Sequence, residues 1–216
     1  LAYWDALRHR HPNMLIDSCA READVPHDDK PQNLFWELVE GREDCSYKLF
    51  SVHVNKNKSP RTGQVHEFQV LSSPDWVAVV AVTPDDHVVM VRQYRHGSAE
   101  LSLEPVGGLV KEGQTPEQSA AEELAEETGY TAAAMELLGW MQPMPALFTN
   151  RFYVFLASHA VPGGPSNPDE TEEIETVLVP VAEIRDYIRT GKIRCSVMIA
   201  ALHLFLDNRE TRNVKC

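Results

Sequence analysis

The sequence predicts an α/β protein in which a mixed β-sheet is packed between helices. Two valine-rich segments, 76–82 and 88–95, have the composition of buried strands. A strongly specified helix is predicted at 116–128, and two more helices are predicted near the end of the chain. Strands interleaved with a few helices are typical of a sheet that carries helices on its faces.

The first third of the chain is predicted to contain an N-terminal extension and a small β subdomain. Residues 1–32 are rich in His, Asp and Pro, and this N-terminal extension is given no role. Residues 33–72 predict a small β subdomain whose strands are separated by Gly41 and by a polar loop. The predicted strands of this subdomain are 34–40, 46–54 and 65–71.

Residues 73–216 predict the main domain. A T-P-D-D turn joins the two valine-rich strands, and a glycine-bearing loop at 104–113 then leads into the helix. Thr115 is a suitable N-cap that Gln118 completes as a capping box. Gly129 stands where a glycine ends a helix. The remaining predicted strands are 136–141, 151–158 and 174–179, and the remaining predicted helices are 181–189 and 196–208.

Composition and charge exclude several classes of function. The chain has 216 residues and a formal net charge of −12, which argues against nucleic acid as a partner. Its apolar runs are shorter than the roughly 20 residues that span a bilayer, and its charged first residues do not form a secretory signal. The four cysteines show no C-x-x-C spacing, which favours a reducing cytoplasmic location.

The helix at 116–128 concentrates acidic residues without a Lys or Arg of its own. Glu123, Glu126 and Glu127 share one face, and like charges at these spacings repel. A cation would offset this repulsion, and Mg²⁺ is bound in proteins by a few carboxylates together with substrate phosphate. A solvated acidic face is the alternative interpretation.

The segment from Gly108 to Tyr130 resembles the Nudix box, G-x5-E-x7-R-E-U-x-E-E-x-G-U, where U is a bulky apolar residue. The matching positions are Gly108, Glu123, Leu124, Glu126, Glu127, Gly129 and Tyr130. The resemblance implies a Nudix-type α/β/α sandwich and a metal site formed by the three glutamates.

Two positions depart from the pattern of the box. Gln114 stands at the usual Glu and Glu122 at the usual Arg, two residues that commonly pair behind the metal-binding carboxylates. The Gln114 amide is able to donate a hydrogen bond to Glu122, so a compensated pair with retained activity is one interpretation. A decayed site is the other.

Residues outside the box resemble the ADP-ribose pyrophosphatase branch of the family. The matching segments are V-R-Q-Y-R (91–95), L-E-P-V-G-G (103–108) and S-P-D-W-V-A-V-V-A-V-T (73–83). By this resemblance Glu104 lies near the metals, the Gly107 carbonyl is a metal ligand and Arg95 contacts the substrate's phosphates, for which a guanidinium is well suited. A surface ion pair is the alternative role for Arg95.

An acidic loop at 169–175 resembles the family segment that carries a catalytic glutamate. The match favours Glu170 as the general base, with Glu172 beside it near the metals; Glu173 and a merely solvated loop stay open as alternatives. Trp36 is a candidate for stacking on the nucleobase, although aromatic residues on strands more often belong to a core.

The resemblance implies Mg²⁺-dependent hydrolysis of the pyrophosphate of a nucleoside diphosphate sugar, with Mn²⁺ as a substitute. ADP-ribose would give AMP and ribose 5-phosphate. A GDP- or UDP-sugar hydrolase and a catalytically impaired domain that binds nucleotide sugars are the alternatives. The resemblance also implies a homodimer formed through the N-terminal subdomain, and a small-molecule substrate without nucleic acid or membrane partners.

Overall fold

The computed structural model describes residues 34–214, so the predicted extension at 1–32 lies outside the described residues. The chain divides into two compact units between Ser72 and Ser73. Each unit has its own sheet, and the two are described in turn.

The N-terminal unit is a three-stranded antiparallel sheet. Its strands are β1 (Glu37–Ser46), β2 (Ser51–Lys58) and β3 (Val65–Ser72), in the order β1-β2-β3. The predicted break at Gly41 was wrong, because β1 continues through it and the chain turns at 47–50, where the Tyr47 N–H donates to the Phe50 carbonyl at 2.8 Å. Gly41 pairs with Asn55, and a Cβ at Gly41 would lie 2.9 Å from the Asn55 Oδ1. Glycine therefore permits close pairing here.

The C-terminal unit is built on a six-stranded mixed sheet. This unit contains eight strands, six of which form the sheet. In chain order they are β4 (Trp76–Val82), β5 (His87–Arg95), β6 (Glu100–Leu109), β7 (Tyr130–Thr131), β8 (Glu136–Met141), β9 (Phe152–Ser158), β10 (Val161–Pro162) and β11 (Ile174–Pro180). The order across the sheet is β11-β5-β6-β4-β9-β8, with β4 and β9 parallel and the other pairs antiparallel. β7 and β10 form a separate two-stranded ribbon.

Strand β6 corrects the prediction of a glycine-bearing loop at 104–113. The strand includes Gly107 and Gly108, which pair with Ala78 and Val77 of β4. Strand propensity is low for glycine, but neither position has room for a Cβ. At Gly107 the backbone of β4 is in the way, and at Gly108 the side chain of Glu123 is in the way.

Three helices complete the unit: α1 (Pro116–Thr128), α2 (Ile184–Arg189) and α3 (Ser196–Val214). The predicted caps of α1 are confirmed, since Thr115 and Gln118 form a reciprocal capping box and Gly129 has the left-handed φ of 72°. The predicted helix at 181–189 is instead a 3₁₀ turn at 181–183 followed by α2. α3 runs six residues beyond its predicted end at 208.

The sheet separates two apolar cores. Val77 and Val79 lie on the face covered by α1, where they share a core with Leu124. Ala78 and Val80 lie on the opposite face, which the carboxyl-terminal helix covers through side chains such as Leu202. Successive side chains of β4 thus point alternately into the two cores. The predicted α/β/α sandwich is confirmed. Within residues 34–214, no helix combines the length and apolar character that a membrane crossing needs.

Candidate active site

The site is built where the end of β6 passes under α1. Here the backbone comes so close to its neighbours that only glycine fits. A Cβ at Gly107 would lie 2.6 Å from the Val77 carbonyl oxygen, and a Cβ at Gly108 would lie 2.4 Å from Cδ of Glu123. The glycines therefore allow the carboxylates of α1 to approach the strand backbone.

Glu127 and Glu123 present the most perturbed carboxylates of this helix. Glu127 is 3% exposed, and the Gly107 N–H points to its Oε2 over a long 3.4 Å. Burial raises the pKa of Glu127 to about 8, and the charges of Glu123 and Glu172 add to the rise. Burial likewise raises the pKa of Glu123 to about 7, against the lowering effect of nearby Lys111. Both carboxylates are costly to ionise without a cation.

Glu126 lies one turn after Glu122 and is tied to the loop that precedes the helix. The Lys111 Nζ donates to Glu126 Oε2 at 2.8 Å and to Glu122 Oε1 at 2.7 Å. The hydrogen bond proposed between the two altered positions of the box is confirmed, because Gln114 Nε2 donates to Glu122 Oε2 at 2.5 Å. The altered positions have therefore kept their contact.

Arg95 and Glu104 form an ion pair across β5 and β6. The Arg95 Nη2 donates to Glu104 Oε2 at 2.7 Å and its Nε to Oε1 at 3.2 Å, while the Glu104 side chain is only 2% exposed. The Arg95 side chain is 43% exposed. The ion pair that the sequence left open for Arg95 is thus present, although its partner is a buried acid and not a surface one.

The acidic loop is tied to the end of α1. The Asn167 N–H donates to the Glu126 carbonyl at 2.8 Å, and the Asp169 N–H donates to Glu172 Oε2 at 3.3 Å. Glu172 is half-buried, and its charge contributes to the raised pKa of both Glu123 and Glu127. Glu170 and Glu173 are exposed. The charge of Glu172 therefore acts on both carboxylates, and the charge of Asp169 acts on Glu123 as well.

Trp36 lies in the N-terminal unit, just before β1 and not within a strand as predicted. The residue is 45% exposed, and its ring packs edge-on against His66 and Phe68, with centroids 5.8 and 5.3 Å away. These contacts hold the ring on its own sheet.

Carboxylate and carbonyl oxygens are the donors that Mg²⁺ prefers, and the carboxylates of Glu127 and Glu123 lie beside the backbone of Gly107 and Gly108. Within residues 34–214, no three acidic, His or Cys side chains converge as a ready-made metal cluster. Lys111 engages Glu126, and Arg95 engages Glu104. Buried Glu127 and half-buried Glu123, both hard to ionise, nevertheless fit a divalent cation, which would stabilise both charges.

Two residues of the site escaped the sequence reasoning. Lys111 supplies the counter-charge that α1 lacks, and buried Ser119 donates from its hydroxyl to Gln114 Oε1 at 2.7 Å. One signal was available for the lysine, since it is the only Lys or Arg between Arg95 and Arg151.

Comparison with known proteins gives a consistent result. A family model described as the NUDIX domain matches residues 73–196. The chain is 28% identical over 149 residues to an ADP-ribose pyrophosphatase of Bacillus subtilis, covering 68% of this chain and 80% of that protein. It is 30% identical over 128 residues to a GDP-mannose pyrophosphatase of Cronobacter sakazakii, covering 55% of this chain and 66% of that protein. A crystal structure of an ADP compounds hydrolase shares the fold, with a TM-score of 0.73 at 22% identity over 82% of this chain and 95% of that chain.

Proposed function

The chain belongs to the Nudix family and is a pyrophosphohydrolase of its ADP-ribose pyrophosphatase branch, and we propose that it hydrolyses nucleoside diphosphate sugars, with ADP-ribose as the preferred substrate. The observation that carries this proposal is the approach of Glu123 and Glu127 to the two glycines of β6. Two neighbouring carboxylates, one buried and one half-buried, are unfavourable there without a counter-charge, so the arrangement is explained by a cation and a phosphorylated ligand.

Glu123, Glu126, Glu127 and the Gly107 carbonyl are the proposed metal ligands. When bound, Mg²⁺ would neutralise the diphosphate and lower the pKa of a water molecule at the site, and Mn²⁺ has similar ligand preferences. This ligand set is supported by the close approach of α1 to the strand, with Glu123 beside Gly108 and Glu127 beside Gly107.

We assign the general base to the acidic loop, with Glu172 preferred over Glu170. Glu172 is half-buried and acts electrostatically on Glu123 and Glu127, whereas Glu170 is exposed. A base must reach the water from which it removes a proton. The attacking oxygen would form a bond to one phosphorus while the bridging P–O bond breaks, and ADP-ribose plus water would give AMP and ribose 5-phosphate.

Arg95 is the proposed contact for the substrate's phosphates. Its Nε and Nη2 bind Glu104, but 43% of the side chain is exposed and Nη1 has no hydrogen bond to the described residues, so it is left for a phosphate oxygen. Glu104 is proposed to orient this guanidinium near the metals. Trp36 is retained as a candidate for base stacking through the exposed part of its ring.

Two alternatives have support of their own. A GDP- or UDP-sugar is favoured by the similarity to a GDP-mannose pyrophosphatase. A domain that binds nucleotide sugars without hydrolysing them is favoured by the departures at Gln114 and Glu122. Against the latter, the contact between these two residues is kept.

One experiment separates these possibilities. Purified protein is incubated with Mg²⁺ and ADP-ribose, GDP-mannose or UDP-glucose, and the released nucleoside monophosphate is measured by chromatography. We expect the fastest release from ADP-ribose and almost none with Glu127→Gln, for which exposed Glu117→Gln on the same helix is the control. Binding of these compounds without release of any product would support the non-catalytic alternative.

We also propose that the N-terminal unit forms a homodimer. Its small sheet exposes large apolar side chains, including Val39, Phe50, Val65 and Phe68. An exposed apolar surface of this kind usually marks an interaction site. Light scattering coupled to size-exclusion chromatography should give twice the mass of the chain, and Phe68→Glu should shift the protein to a monomer. A monomeric wild-type protein would contradict the proposal.

A further inference from the structure

Lys111 bridges two acidic residues that would otherwise repel each other. Glu122 and Glu126 are spaced i,i+4 on α1, so their carboxylates are neighbours, and like charges at this spacing destabilise a helix. The lysine ammonium lies between them, 2.7 Å from Glu122 Oε1 and 2.8 Å from Glu126 Oε2. One cation thus pairs with both carboxylates and offsets the repulsion between them.

The backbone of Lys111 is held in place by a series of hydrogen bonds. Its own backbone N–H donates to Ser119 Oγ at 3.1 Å, and the Ser119 hydroxyl donates to Gln114 Oε1 at 2.7 Å. Gln114 in turn donates to Glu122 at 2.5 Å. Ser119 is fully buried, so this series of hydrogen bonds fixes the loop that carries the lysine against α1.

The ammonium contacts one oxygen of Glu126, Oε2. Among the described residues, no nitrogen donor binds the other oxygen of that carboxylate, Oε1, although the Glu122 and Glu126 carboxylates interact with each other. A carboxylate held through one oxygen has its plane restricted, so the second oxygen is presented in a limited range of directions.

We propose that Lys111 is a positioning residue for the metal site, which bridges Glu122 and Glu126 and so orients Glu126 towards the bound cation. This inference rests on the proposed function of Glu126 as a metal ligand. It also explains how the chain carries Glu at position 122: an Arg there would stand one turn before Glu126 and supply a cation from the helix itself, whereas here the preceding loop supplies it.

The test measures Mn²⁺ binding without substrate, by electron paramagnetic resonance of the free ion. Removing a positive charge beside the site should by Coulomb's law alone strengthen the binding of a divalent cation. Loss of a positioning partner should weaken it, typically by about 10- to 100-fold. We expect Lys111→Met to weaken Mn²⁺ binding by about that factor, and to lower kcat while the KM for the nucleotide sugar changes little.

Two further variants test positioning against a general loss of structure. Lys111→Arg should keep most of the affinity, because a guanidinium reaches both carboxylates. The double variant Lys111→Met/Glu122→Arg should recover Mn²⁺ binding, because its cation lies one turn from Glu126. Arg185→Met is the control, since it removes an exposed ion pair of the same unit, 2.6 Å from Glu210. Thermal unfolding in EDTA shows whether each variant is folded.

Tighter Mn²⁺ binding by Lys111→Met would overturn the proposal, because the lysine would then compete with the metal for Glu126. Unchanged binding would overturn it as well. If Lys111→Met does not fold, the double variant decides: a folded double variant with wild-type affinity supports the proposal, and one that binds weakly or does not fold overturns it. Mn²⁺ bound normally by a protein that hydrolyses no nucleotide sugar would contradict the proposed function and leave this inference standing.

Discussion

The carboxylate of Glu123 packs directly against the backbone of Gly108, where a Cβ on the glycine would lie 2.4 Å from Cδ and 2.6 Å from Oε1 of the glutamate. The contact joins the end of β6 to the acidic face of α1. Because the strand is fixed by its pairing with β4, the carboxylate and not the backbone would have to move if a side chain were added.

Gly108→Ala is therefore expected to displace the Glu123 carboxylate. Metal affinity should fall by about 10- to 100-fold, with a corresponding loss of kcat. The measurement is Mn²⁺ titration followed by the ADP-ribose assay. Gly97→Ala is the matched control, because a Cβ there meets nothing within 4 Å. Normal metal binding by Gly108→Ala would mean that Glu123 is not a ligand.

Glu127 makes the stability of the metal-free protein depend on pH. An unfolded glutamate ionises near its ordinary pKa of 4.5, while burial raises the pKa of folded Glu127 to about 8. Between these values the folded state holds a proton that the unfolded state has released, so the free energy of unfolding falls as the pH rises. Above about pH 8 the fall is complete.

Glu127→Gln should remove this loss. Between pH 6 and 8.5, the free energy of unfolding of the wild type should fall relative to the variant by on the order of 2 kcal/mol. Urea unfolding in EDTA at both pH values measures the difference, and Glu117→Gln serves as the exposed control on the same helix. Parallel loss of stability in wild type and Glu127→Gln would show that this carboxylate ionises normally.

Features fixed by residues close together in the sequence were predictable, and features fixed by residues far apart in the sequence were not. Helix α1 was predicted with both ends correct because Thr115, Pro116 and Gly129 act on the backbone beside them. Strand β6 was missed because its glycines are required by the Val77 carbonyl and by Glu123, which meet the strand only after the sheet and helix have packed. A residue-by-residue propensity contains no information about such neighbours.

The same distinction applies within the site. The face shared by Glu123, Glu126 and Glu127 follows from helical periodicity, so it was predictable. The bridge made by Lys111 depends on the path of a loop and on a flexible side chain, neither of which has a periodic pattern. The acidic loop likewise gave no way to separate Glu170 from Glu172, because every position in it is polar or charged apart from Ile174.

The buried Glu104 depends on Arg95 for its charge partner. Arg95→Met leaves a 2% exposed carboxylate unpaired, which should lower the free energy of unfolding by about 1–3 kcal/mol. Arg95→Met/Glu104→Leu should recover most of this loss, because no buried charge remains. Urea unfolding of the wild type, Arg95→Met, Glu104→Leu and the double variant gives the coupling energy of the pair. Arg92→Met on the same strand is the control, since it removes only an exposed ion pair with Glu175 and should cost less than about 1 kcal/mol.

Single substitutions in the acidic loop should distinguish Glu170, Glu172 and Glu173, three of its four glutamates. Glu172→Gln is expected to lower kcat by about 10²- to 10⁴-fold, the usual contribution of a general base, with little change in KM. Exposed Glu170→Gln and Glu173→Gln should lower it far less. A large loss in Glu170→Gln with Glu172→Gln unaffected would return the general base to the residue that the sequence favoured.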